Sequence, residues 1–309
     1  RLRRGKLRDG KPLAVMVADL AVADRCCALD DLERATLCST AAPIVLARRR
    51  PSAMVTGEVA PGCADLGVML PYTPLHHLLM QTAPPVLVMT SGNRSGSPLT
   101  YRDDDAAAEL GDIADGILLH DREIFRPIDD SVVHCAAGGV RPVRRGRGYV
   151  PRPIVVTPPR RGDSTRVLAV GGELKSTFCL LQGGSALVSE HLGDLTNPDA
   201  YRHFVASIPR LAALYGFSPD VVAHDLHPAY ESTRYAESLN LPALAVQHHH
   251  AHIASVMAEA DEPGPLIGLV CDGTGWGTDG TVWGCELLRC ERGEFSRLGH
   301  MDRFPLVGG

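Results

Sequence analysis

The chain has no CxxC pair, no apolar run approaching the roughly 18 residues needed to span a bilayer, and no excess of positive charge. Each absence removes a class of protein. Nine cysteines, at positions 26, 27, 38, 63, 135, 179, 271, 285 and 290, stand singly or adjacent. An odd total without paired spacing argues against a disulfide framework or a zinc finger, and for reduced thiols. The basic N-terminus is not followed by the apolar core of a signal peptide, so a cytoplasmic protein without membrane association is expected. A net charge of -5 at pH 7 gives no general pull toward nucleic acid. Local basic stretches at 1–11 and 141–147 suit phosphate, so the expected partner is a small anion rather than a polymer. An initiator Met is also missing: the chain starts at Arg1 and stops at Gly309 after a turn-like Val307 and Gly308. An internal piece of a longer protein is expected.

What is present is enough for two cores: 309 residues, 45% hydrophobic and 22% charged. Between 11 and about 149, β-rich runs at 13–17, 44–47, 86–89 and 132–134 alternate with Ala/Leu segments of helical character, which predicts an α/β domain over 1–150. Residues 151–165 are proline-rich with little apolar periodicity and read as a connector. A second α/β domain is expected over 166–309. It opens with a strand at 166–170, a loop of glycines and hydroxyls at 171–177, and a hairpin turning at 182–185, an opening shared with actin-like ATPase folds. Asn197 before Pro198 predicts a helix start, with Tyr201, Phe204, Val205, Ile208 and Leu211 on one face and Pro209 disturbing the end. Further expectations are a strand at 220–223, a helix begun by Pro228, a strand at 243–246, a helix at 248–260 and a strand at 266–271. That alternation predicts a mostly parallel sheet.

The segment 248–252 reads His, His, His, Ala, His. On a helix, His248 and His252 lie one turn apart on the same face and can grip one divalent cation, zinc or iron, if an oxygen ligand closes the site. Asp272, expected at a strand end, is the candidate, because strand ends share the ligand crevice of open α/β sheets. Position 249 is not Glu, so the general base of an HExxH protease is lacking. The loop at 272–280, with Gly273 and Gly275, and the loop at 171–177, with Gly171, Gly172 and Lys175, would let backbone N–H groups approach a phosphate. In the first domain, Lys11 before a strand, and the donor-rich run at 90–96 with Ser91 and Asn93, are candidates for holding phosphate and carbamate. The basic run at 144–149 reads as a solvated domain edge.

Taken together, KPLA at 11–14, LPYTPLHH at 70–77, TSGNRSG at 90–96 and DDSVV at 129–133 resemble the YrdC-like domain of the HypF carbamoyltransferases. VGGELK at 170–175, HLGDL at 191–195, HDLHP at 224–228 and QHHHAH at 247–252 resemble the TsaD-like, actin-like (ASKHA) domain of the same family. The resemblance implies ATP with Mg and carbamoyl phosphate as substrates, and a carbamoyl adenylate formed in the first domain. It implies transfer of the carbamoyl group in the second domain to the C-terminal cysteine of HypE, during [NiFe]-hydrogenase maturation. It places nucleotide and carbamate contacts on Lys11, Ser91, Asn93 and Ser131, and the metal on His248, His252 and Asp272. The chain departs from the family pattern at Ser97, where Glu is usual, and contains neither an acylphosphatase-like domain nor zinc fingers, so the piece is expected to be inactive alone. The rival readings are a small-molecule O-carbamoyltransferase of the same superfamily and a non-catalytic nucleotide- or RNA-binding module.

Overall fold

The computed structural model describes residues 1–8, 10–94, 96–158 and 162–302. It separates into two compact units, residues 1–152 with 189–191, and residues 153–188 with 192–309. Both are α/β. No helix among the described residues is long and apolar enough to cross a membrane.

In the first unit a short helix α1 (Leu2–Gly5) precedes β1 (Ala14–Val17), α2 (Leu20–Cys26), α3 (Asp31–Leu37), β2 (Ile44–Arg48), β3 (Asp65–Met69), α4 (Pro74–Thr82), β4 (Val86–Met89), α5 (Asp103–Leu110), β5 (Val132–Ala136) and β6 (Gly139–Arg144). The strands form one mixed sheet in the order β4-β1-β3-β2-β5-β6, with β1 parallel to β3 and β2 parallel to β5. Local chemistry sets the helix starts: Asp19 caps α2 by accepting from Val22 N–H, and Asp30 and Glu33 form a reciprocal capping box at α3. The period-2 alternation of the strands then divides the sheet into two faces. Val15, Val17, Val45, Val68 and Val133 are buried in one core with residues of α2 and α3, each contributing about 1.5–3 kcal/mol of burial. On the other face Met16, Ile44 and Met69 pack with Tyr72, Met89 and Val132.

The second unit begins with β7 (Ile154–Val155), which pairs with β10, so the span read as a connector contributes an edge strand to the sheet. It continues with β8 (Val167–Ala169), β9 (Cys179–Gln182), β10 (Ser185–Val188), α6 (Pro198–Leu214), β11 (Val221–Asp225), α7 (Glu231–Ser238), β12 (Ala243–Val246) and α8 (His248–Glu259). The sheet order is β12-β11-β8-β9-β10-β7, parallel across β12, β11 and β8 and antiparallel beyond. Asn197 caps α6 by accepting from Asp199 and Ala200 N–H, and Phe204, Ile208 and Leu211 are buried as the spacing predicts. Pro209 stands inside α6 rather than ending it, because the apolar face on either side of it stays packed in the core. Helix α7 starts at Glu231, three residues after Pro228; a turn held by His227 N–H donating to Asp225 Oδ1 (2.8 Å) intervenes.

One expectation about topology fails. The strand predicted at 266–271 does not join the parallel sheet. It is part of β13 (Leu266–Trp276), which forms a separate antiparallel sheet with β14 (Val282–Cys290) and β15 (Phe295–His300). The connection from β13 to β14 is a tight turn with Gly280 at φ +73°, too short for the crossover that parallel strands require. For the same reason the loop expected at 272–280 is largely strand: β13 runs through Gly273 and Gly275, with its register shifting between Cys271 and Gly275. Ile253 and Met257 of α8 pack with Val270, Trp283 and Leu288 to form the core of this part.

Candidate metal centre and anion-binding cavity

Gln247 caps α8, its Oε1 accepting from His250 N–H at 2.9 Å, and so holds the first helical turn in register. That turn sends its histidines in different directions. His249 is fully buried, and the Nε2 of His250 lies 2.9 Å from the Glu291 carbonyl. His248 and His252 share the remaining face, with their Nε2 atoms 3.2 Å apart.

Asp225, at the carboxyl end of β11, accepts from His248 Nδ1 at 2.6 Å. With its hydrogen given to Asp225, a neutral His248 ring presents the Nε2 lone pair outward. This hydrogen bond, with the charge of Asp225 and then the charge and hydrogen bond of Asp272, outweighs burial and raises the His248 pKa above its ordinary value. Asp272 Oδ2 lies 2.9 Å from His248 Nε2 and 3.8 Å from His252 Nε2. Asp272 Oδ1 is occupied by the Gly273 N–H at 2.8 Å, whereas the buried Oδ2 receives no hydrogen bond among the described residues.

Three atoms able to act as metal ligands therefore converge. Their spacings of 2.9, 3.2 and 3.8 Å bracket the ~3.3 Å expected between ligands bound tetrahedrally at ~2.0–2.1 Å. The orphaned Oδ2, two imidazole nitrogens and a carboxylate orienting the first imidazole fit a divalent cation. Zinc and iron both suit this donor set. Asp272 lies inside β13 rather than at its tip; the irregular register after Cys271 accompanies its approach to α8. Asp225 was not singled out from the sequence, although an acid at the end of a parallel strand is a recognisable signal.

The loop at 171–177 passes beside this cluster. A Cβ at Gly172 would lie 3.8 Å from Asp225 Oδ2 and 3.9 Å from His248 Cε1, and Gly171 takes a φ of +67°. Lys175 is exposed on the turn of the same loop with φ +51°. Gly273 has open space where a side chain would stand, whereas Gly275 is pressed against His248 and His249. Only the first of these two glycines leaves room for an anion to approach.

In the first unit the methionine-rich face of the sheet floors a cavity of about 400 Å³, rimmed by Arg8, Thr90, Ser91, Asp129, Asp130 and Arg144. Lys6 is buried, and its Nζ donates to Thr90 Oγ1 (3.1 Å), Asn93 Oδ1 (3.3 Å) and the Ser91 carbonyl. Ser91 Oγ donates to Asn93 Oδ1 at 2.6 Å. Burial lowers the pKa values of both Lys6 and Arg8.

Lys11 is exposed, and it is Lys6 that reaches the run at 90–93. Residues 6–8 turn back toward 90–93, a long-range contact that the position of Lys11 just before a strand did not reveal. The signal was the basic stretch itself. Ser131 is buried: its Oγ donates to the Arg147 carbonyl (3.0 Å) and accepts from Gly146 N–H (2.8 Å), tying the segment before β5 to the segment after β6. The run at 144–149 is not a solvated edge. Arg144 lines the cavity, and Arg147 sits 3.4 Å over the Tyr72 ring while pairing with Asp130 at 3.0 Å. Burial pushes the Tyr72 hydroxyl up to about 12. Ser95, within the motif at 90–96, lies outside the described residues.

Comparisons with known proteins agree over the whole chain. Residues 1–146 match a family model described as telomere recombination (Sua5, YciO and YrdC). Residues 162–259 match the HypF Kae1-like domain, and residues 268–309 the second subdomain of the carbamoyltransferase Kae1-like domain. Carbamoyltransferase HypF of Synechocystis is 44% identical and HypF2 of Cupriavidus necator 47% identical, each over all of this chain and 40% of the relative. The probable HypF of Methanocaldococcus jannaschii is 32% identical over the same share. A crystal structure of full-length HypF in a phosphate- and nucleotide-bound form superposes with a TM-score of 0.92 at 46% identity, covering 97% of this chain and 39% of that one. HypF of T. kodakarensis gives 0.90 at 36% identity, covering all of this chain and 40% of that one. The chain thus spans 40% of the length of these curated relatives. With matches running in order from a YrdC-like region into a Kae1-like one, it belongs to the HypF carbamoyltransferase family.

Proposed function

We propose that this chain is part of an ATP-dependent carbamoyltransferase of [NiFe]-hydrogenase maturation, which forms carbamoyl adenylate from carbamoyl phosphate and ATP and passes the carbamoyl group to the C-terminal cysteine of HypE. The observation that carries this reading is the convergence of His248 Nε2, His252 Nε2 and the orphaned Asp272 Oδ2, in a chain whose relatives are carbamoyltransferases.

In the first unit, Lys6 and Arg8 supply positive charge beside the hydroxyl and amide of Ser91 and Asn93. This arrangement suits the phosphates of ATP with Mg and the carboxylate of carbamate. The apolar floor suits a nucleobase and excludes water from the reacting anhydride. In the second unit, His248, His252 and Asp272 would hold a divalent cation, zinc or iron. When bound, that cation supplies Lewis-acid polarisation of the acyl group. Asp225 keeps His248 in the tautomer whose Nε2 points into the site. Gly171, Gly172 and Gly273 leave room for the anionic part of a nucleotide.

Two measurements on the full-length protein test this reading. Carbamoyl-phosphate-dependent exchange of pyrophosphate into ATP is expected, and is expected to fall in Lys6→Ala. Bound metal should be present in the purified protein and absent after His248→Ala. Salt-sensitive RNA binding without nucleotide turnover would point to a binding module instead.

A further inference from the structure

The two glycines of the segment at 273–275 are not equivalent. A Cβ at Gly273 would meet nothing within 4 Å. At Gly275 it would lie 2.5 Å from His249 Cε1 and 2.9 Å from both Cβ and Cδ2 of His248. Carbon atoms pack at about 3.5–4.0 Å, so no side chain fits there without displacing the strand or the helix.

Neither neighbour can give way freely. His249 is fully buried, and its Nδ1 lies 3.1 Å from Gln247 Nε2. The same Gln247 amide also donates to the carbonyl of Trp276, the residue after Gly275, at 3.1 Å. Gln247 thus caps α8 and ties it to β13 at one point, and the missing side chain at Gly275 is the slot into which the first turn of α8 fits. Gly268 repeats the arrangement further along, where a Cβ would lie 2.1 Å from Ile253 Cδ1. Two glycines on one strand therefore let its backbone lie directly on α8.

We infer that Gly275 is a positioning residue: by admitting His248 and His249, it sets the separation of α8 and β13 that places Asp272 Oδ2 within ligand range of His248 and His252. The inference rests on the cation reading above. Asp272 belongs to a different sheet from β12, which leads into α8, so this close packing of β13 on α8 is what brings it to the histidines. Metal–ligand distances tolerate only about ±0.2 Å, so lifting β13 by the roughly 1 Å that a methyl requires separates the carboxylate from the imidazoles.

The test is calorimetric titration of the intact protein with zinc chloride alone, with thermal unfolding followed in chelator. Gly275→Ala is expected to bind zinc at least roughly tenfold more weakly than the wild type. Gly299→Ala, on β15 with nothing within 4 Å of its Cβ, should stay within about twofold. Wild-type affinity in a folded Gly275→Ala, even with a lowered melting temperature, overturns the inference while leaving the cation site standing. No zinc binding by the wild type overturns both. Should Gly275→Ala not fold, the comparison moves to a His249→Ala background, where the contact at 2.5 Å is gone and those to His248 at 2.9 Å remain. There Gly275→Ala should weaken zinc binding at least about threefold relative to His249→Ala, and equal affinities refute the role.

Discussion

The residue whose replacement would say most about the second unit is Asp225, because it touches the proposed ligand His248 without being a ligand itself. Its Oδ2 accepts from His248 Nδ1 at 2.6 Å, a charge-assisted hydrogen bond, and its Oδ1 accepts from His227 N–H at 2.8 Å. Asp225→Asn keeps the shape and one acceptor oxygen but removes the charge. A hydrogen bond to a charged group is worth about 1.5–3 kcal/mol, against about 0.5–1.5 for a neutral one. The difference, about 1–1.5 kcal/mol, is set against a ligand whose basicity also falls. A loss of about 10- to 100-fold in cation affinity follows. Competition of the protein with a chromophoric chelator for zinc would measure it, with circular dichroism showing that the variant is folded. If Asp225→Asn bound zinc as tightly as the wild type, orientation of His248 by Asp225 would be irrelevant to the site, and the tautomer argument would be wrong.

Three other outcomes are expected. Lys6→Met should weaken binding of a non-hydrolysable ATP analogue by about tenfold or more, since a charge-assisted contact of at least about 1.4 kcal/mol is lost, while Lys11→Met leaves it unchanged; equal effects in equilibrium dialysis would reject the preference for Lys6 over Lys11. Asn197→Ala removes the cap of α6, and denaturant unfolding should show a loss of about 1 kcal/mol. Asp220 is held at about 2 by its hydrogen bonds from the Arg166 side chain and backbone, below its ordinary value of 3.8. Its folded-state pKa is depressed, so its contribution to stability is present above about 4 and disappears as pH falls through about 2. The melting-temperature gap between wild type and Asp220→Asn should therefore shrink over that acid range and be constant near neutrality.

How much of this was legible in the sequence depended on the range of the interaction. Asn197 with Pro198, the apolar face of α6, and the strands at 86–89 and 243–246 are local patterns, and the structure reproduces them. The histidine pair was legible because four residues on a helix is a fixed geometry. Lys6 was missed because its partners at 90–93 are 84 to 87 residues away in the chain, and no local periodicity encodes that approach. Ser131 was singled out only by the resemblance, and its backbone partners at 146 and 147 depend on a contact some 15 residues away that no local pattern encodes.

By itself, then, the sequence determined two α/β regions, the helix that carries His248 and His252, and a likeness to one family strong enough to survive comparison. Only the tertiary structure decided that Lys6 and not Lys11 faces 90–93, that Asp225 orients His248, and that β13 leaves the parallel sheet yet still brings Asp272 to the histidines. The reason is physical. Propensity and capping act within a turn or two of the chain, whereas the meeting of a carboxylate and two imidazoles depends on how closely one backbone can lie on another, and here that closeness is set by the absence of a side chain at Gly275.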